Sequence, residues 1–219
     1  MDRVSWLLVM VVVLVGGSVY GEEWQVGQTW IYQHAGPRPY GDALSTVEGD
    51  RVVTVAGIKG AGAGARYLVR NVWGKNDPNP ATSHIDAQGF IHQTDIDSLA
   101  TIGFNPPIPA FWTQLKVGEQ KVLKTNMSVS GLSIPLTYTV KRLMDEIVIT
   151  PAGRFTQCIR VQIISSMENP MGGGISRTKM DQWYHPLVKN FVKEKIITNF
   201  QADNSYAATS VLKAVTPGN

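Results

Sequence analysis

The sequence predicts an all-β protein: a curved antiparallel sheet forming an incomplete or half-open barrel, with at most short helical turns. Three observations predict it. About ten or eleven short runs alternate apolar and polar residues along the chain, the period of a strand. Turn residues separate those runs roughly every 8–15 residues, the spacing of antiparallel all-β proteins. No long stretch carries the 3.6-residue period of an amphipathic helix. Large side chains at adjacent positions, as in Trp183-Tyr184, put apolar groups on both faces of the sheet, which a strongly curved sheet accommodates.

The first residues read as an export leader. Asp2 and Arg3 precede an apolar run from Trp6 to Val15, and Gly16-Gly17-Ser18 breaks it. Val19 and Gly21 suit a signal peptidase, which places cleavage before Glu22. The run is shorter than the ~20 residues of a membrane span, so no span is expected after cleavage; the alternative is an uncleaved N-terminal anchor. Residues 22–219 then form a single β domain, located in the periplasm or secreted. Lys and Arg number 20 against 17 Asp and Glu, a net +3 scattered along the chain, so no nucleic-acid surface is expected. Cys158 is the single cysteine; it sits mid-strand and reads as a buried, inert thiol.

The elements follow in order. In the first strand, from Val26 to Tyr32, Trp30, Tyr32 and His34 share one face and Thr29, Ile31 and Gln33 the other. Residues 34–39, with Gly36, Pro37 and Pro39, form a loop. Arg51 to Ala56 is a β-branched strand. Glycines 57, 60, 62 and 64 follow it; no Gly-Lys-Ser/Thr and no helix comes next, so they mark a hairpin tip, not a phosphate loop. Arg66 to Trp73 is the returning strand. Asp86-Ala87-Gln88-Gly89-Phe90 fits a three-residue hairpin loop, which pairs Ile85 with Ile91 and His84 with His92. One helical turn is expected from Asp95 to Thr101 and another short apolar helical face at Phe111, Trp112 and Leu115. Asn105 to Pro109 is extended.

Leu123, Thr125, Met127 and Val129 alternate with Lys124 and Asn126, and Leu136, Tyr138 and Val140 with Thr137, Thr139 and Lys141. Glu146 to Thr150 is short, and Pro151-Ala152-Gly153 bends the chain. From Thr150 to Lys195 three consecutive antiparallel strands follow, broken by Gly172-Gly173-Gly174. A last strand runs from Ser205 to Val215.

The chemical inventory is thin. No Gly-x-Ser-x-Gly, His-Glu-x-x-His or Cys-x-x-Cys motif is present. His84 and His92 offer two imidazoles, short of the three or four ligands of a metal site. His185 before Pro186 has no legible nucleophile partner and reads as structural. Neither a catalytic residue nor a metal or cofactor site is expected.

Thr150-Pro151-Ala152-Gly153-Arg154-Phe155, Cys158-Ile159-Arg160-Val161 and Trp183-Tyr184-His185-Pro186 resemble a pattern, T-x-A-G-x-F…C-x-R-V…W-Y-x-P, of uncharacterised bacterial periplasmic domains. Pro106-Pro107…Leu115-Lys116-Val117-Gly118 and Val26 to Tyr32 resemble that group's earlier landmarks. The chain departs from the pattern at Leu187-Val188-Lys189-Asn190, where the group carries Gly-Val-Gly. The resemblance implies a fold similar to periplasmic lipoprotein carriers, an incomplete barrel around an apolar cavity.

Two functions are therefore expected ahead of any enzyme. In the first, an exported, non-enzymatic domain presents Trp30, Tyr32, Trp73, Phe90, Trp183 and Tyr184 from a concave sheet to a lipid acyl chain or a hydrophobic peptide. In the second, a cell-envelope structural or interaction protein binds a protein partner through a sheet edge. The aromatic residues serve equally well as core in the second case.

Overall fold

The structure is a computed structural model and describes residues 24–37, 46–61, 64–168, 174–198 and 205–218. The leader, Gly62, the end of the 34–39 loop and the glycines at 172 and 173 lie outside the described residues. The strands are β1 (Thr29–Pro37), β2 (Thr46–Lys59), β3 (Arg66–Trp73), β4 (Ala81–Asp86), β5 (Phe90–Ile96), β6 (Ala100–Pro109) and β7 (Gln120–Val129). They continue as β8 (Leu132–Arg142), β9 (Glu146–Thr150), β10 (Gly153–Glu168), β11 (Ile175–His185), β12 (Asn190–Thr198) and β13 (Tyr206–Thr216).

Each strand pairs antiparallel with the next around the sheet, and β9 attaches to β10 alone. Two pairings decide the architecture. Ile159–Glu168 of β10 pairs with β11, and β13 returns to β1 with Thr29 opposite Thr216 and Tyr32 opposite Leu212. The strands other than β9 thus form a fully closed twelve-stranded barrel. The half-open barrel expected from the sequence is corrected here. Its physical reason is the tail: β13 is long enough to cover both β1 and β12, so no barrel edge is left unpaired.

The expected helical turns are also absent among the described residues. Ala100 follows β5 directly through a tight reversal in which Ser98 takes a φ of 62°. Residues 110–119 form turns that close one end of the barrel, burying Phe111 and Leu115. Ile85 does face Ile91, but His84 pairs with Gln93 because a bulge gives β5 one extra residue there.

Strand alternation sorts the walls as the period-two rule requires. Trp30, Tyr32 and His34 point inward, as do Met127, Val129, Leu136, Tyr138 and Val140. Lys124, Asn126, Ser128, Ser133 and Lys141 point to solvent. On β7 and β8 the outward positions are thus mostly polar, unlike the apolar outer band of a membrane-spanning barrel. Gly36 (φ 130°) lies so close to β13 that a Cβ there would sit 2.5 Å from the Ala208 Cα, so the β1–β13 seam requires glycine at that point.

Cys158 is fully buried, and burial pushes its thiol up to about 11. The expected outcome is no reaction with a thiol reagent at pH 8 in the native state and stoichiometric reaction in denaturant. Rapid native labelling would contradict the packing seen here.

Candidate functional site

Two places concentrate chemistry. The first is inside the barrel. Arg51 on β2 and Glu194 on β12 meet at 3.0 Å, each side chain 1% exposed. Both positions are inward by alternation, Arg51 with Val53 and Val55, Glu194 with Val192 and Ile196. The Arg51 guanidinium donates twice to Asn71 Oδ1, and Gln182 Nε2 donates to Glu194 Oε2 at 3.1 Å. Trp73, Phe191 and Tyr32 surround the cation, with ring centroids 4.5, 5.2 and 5.5 Å from Cζ. Burial holds the Glu194 carboxyl above its ordinary range, against the pull of Arg51 and Gln182.

His34 stands beside this network. Its ring meets Trp73 at 4.5 Å edge to face, and Nδ1 shares a hydrogen bond with Ser210 Oγ at 2.9 Å. Burial, helped by Arg51 and opposed by the Gly36 and Pro37 carbonyls, lowers its pKa to about 4. A crevice of about 10 Å³ opens beside His34, Trp73, Thr198 and Tyr206. That is about the space of one water.

The second place is the arm formed by β9 and the start of β10, which extends past the end of β8. Its tip is the turn Thr150-Pro151-Ala152-Gly153, where Ala152 N–H donates to Thr150 Oγ1. The same N–H also reaches the Leu212 carbonyl of β13 at 3.2 Å, tying the tip across to the far strand. At the base, Trp183 Nε1 donates to Glu146 Oε2 at 2.7 Å. Arg160 bonds Glu146 and Asp181 and lies over the Trp183 ring, with Lys193 also 4.8 Å from that ring. Burial raises the Glu146 carboxyl, but the bonds from Trp183 and Arg160 outweigh it and leave the pKa below the ordinary value. Along β9, Val148 and Thr150 are buried, whereas Ile147 and Ile149 are 54% and 73% exposed. No described strand pairs with the second edge of β9.

The six aromatic residues expected to share one ligand face do not form one site. Tyr32 and Trp73 are core around Arg51, and Trp30 is core beside Trp24, with its Nε1 donating to the Val188 carbonyl at 2.8 Å. Tyr184 packs on Phe111 at one end of the barrel, with centroids 4.6 Å apart. Trp183 belongs to the arm, and Phe90 is exposed at a strand start. His84 and His92 are each engaged by a carboxylate, Asp95 and Asp86, at 2.7 Å. His185 lies against the Phe155 ring.

Of the resembled pattern, Cys158, Arg160 and Trp183 converge on this arm, and Thr150 to Gly153 make its tip. No protein-family model matches the chain, and neither does any curated protein. Two solved structures are similar to it. One, from Bacteroides fragilis, is provisionally described as an exported protein with a YmcC-like fold; it shares 13% identity at a TM-score of 0.53, over 88% of this chain and 97% of that one. Another, from Parabacteroides distasonis, is provisionally described as a lipoprotein; it shares 12% identity at a TM-score of 0.52, over 89% and 100%. At these identities the likeness shows a shared fold. The periplasmic or envelope address expected from the leader agrees with both descriptions.

Proposed function

We propose that this is an exported, non-enzymatic protein of the cell envelope that binds a protein partner through the free edge of β9. The observation that carries the reading is the contrast between a closed barrel and one strand left with a single neighbour. Closure removes edges, so the unpaired groups of β9 stand out as the place where an extended segment can add a strand. Ile147 and Ile149 would meet alternate apolar side chains of that segment. The Trp183–Glu146–Arg160 latch holds the arm in place beforehand, which lowers the ordering cost of binding. The acyl-chain reading has less support, because the aromatic residues expected to line one concave face are divided between the core, the arm and the barrel end.

The test is photo-crosslinking in cells. A probe at Ile149 should yield a discrete protein adduct, and one at Tyr206, beside the crevice, should not. Ile147→Lys with Ile149→Lys should cut capture roughly tenfold, about 1.4 kcal/mol, without changing the melting temperature, since edge lysines oppose strand addition. Lipid adducts from Tyr206 together with none from Ile149 would reverse the ranking.

A further inference from the structure

The exposed apolar residues are not spread evenly over the barrel. An up-and-down barrel places alternate connections at opposite ends. One end gathers the segment before β1, the β2–β3, β4–β5, β6–β7 and β11–β12 connections, the arm, and the end of β13. Each of these carries an exposed large apolar side chain. Outside the arm they are Val26, Ile58, Phe90, Val117, Leu187 and Val215, with exposures from 38% for Phe90 to 89% for Leu187. At the opposite end, the described residues of this kind are Leu99, Leu132 and Ile175.

We infer that this end rests on the surface of an anionic lipid bilayer, with the apolar ring dipping into the headgroup region. Two observations select a membrane over another protein. The apolar groups are spread around the ring, one per connection, which suits a plane more than a single peptide. Exposed cations stand among them, Lys59, Lys116 and Arg154, while Asp86, Asp145 and Glu146 at this end are engaged by His92, Arg142 and Arg160. Basic groups near an anionic leaflet each add about 1 kcal/mol of attraction, and apolar insertion adds to it. The six apolar side chains and three cations it relies on lie outside β9, so the inference stands or falls apart from the partner-strand reading.

The experiment uses the protein as its own cell processes it, with an environment-sensitive fluorophore on Leu187→Cys or, at the other end, on Leu132→Cys. Cys158 is buried and stays unlabelled under native conditions. Vesicles of phosphatidylglycerol and phosphatidylethanolamine containing brominated lipid should quench the Leu187→Cys probe and leave the Leu132→Cys probe bright. Adding Lys59→Glu, Lys116→Glu and Arg154→Glu should weaken vesicle partition at least tenfold, and 0.5 M salt should do the same by screening. Equal quenching at both ends, quenching at neither, or no response to the charge reversals overturns the inference. Protection of the Leu187→Cys probe without vesicles, with a dimer in sedimentation, would assign the end to a second copy of the chain instead.

Discussion

Replacing Glu194 with alanine is expected to destabilise the protein by about 3–5 kcal/mol, the usual consequence of removing one partner of a buried ion pair. The variant leaves the Arg51 guanidinium in a site where its own side chain is 1% exposed. Asn71 still accepts from it, and three aromatic faces still surround it. Those faces contribute ~2 kcal/mol for a desolvated cation, which does not replace a carboxylate at contact distance. Gln182 also loses its acceptor. For a chain of this size the loss corresponds to a fall in melting temperature of roughly 6–20 °C. The double variant Arg51→Met with Glu194→Leu should recover most of it, because a matched apolar pair removes both charges together. Urea unfolding of the three proteins gives the answer. A single-variant loss below about 1 kcal/mol would mean that water already reaches Arg51.

The same pair shows how far the sequence could be read. Alternation alone places Arg51 inward with Val53 and Val55, and Glu194 inward with Val192 and Ile196. What alternation cannot tell is that β2 and β12, 143 residues apart along the chain, approach each other across β13 and β1. Long-range closure is a property of strand order, and the order is set by which strand ends meet. Strand faces were legible for β1, β7 and β8 because one side is apolar and the other polar. β9 was not legible in this way: Ile147, Val148 and Ile149 are all apolar, so the period gives no sign of which residues are buried. The His84–His92 pairing failed for another reason. The hairpin loop fixed the register at Ile85 and Ile91, and a bulge one residue further on changed it. The Trp183-Tyr184 doublet pointed to apolar surroundings on both sheet faces, and the structure gives them to one ring: Tyr184 meets Phe111, whereas Trp183 lies among Glu146, Arg160 and Lys193.

Acidification should unfold this protein partly through His34. The imidazole is 2% exposed and its pKa is lowered from 6.5 to about 4, first by burial and then by Arg51. In the unfolded chain the ring regains the ordinary value near 6.5. The native state therefore disfavours the proton. The stability linked to this group is complete above pH 6.5, declines as the pH falls and is gone below about pH 4. A depression of that size corresponds to about 3 kcal/mol between pH 7 and pH 4. Glu194 responds in the opposite sense: its raised pKa means that ionising it as the pH rises removes stability. The His34 contribution must accordingly be read as a difference. Wild type and His34→Gln, which keeps a polar group facing Ser210, should be unfolded in urea at half-unit steps from pH 4 to pH 8. The stability difference between them is expected to change by about 3 kcal/mol, almost all of it below pH 6.5, with wild type losing more on acidification. Parallel curves would show that His34 accepts its proton without penalty, which the Trp73 ring 4.5 Å away and the nearby Arg51 charge argue against.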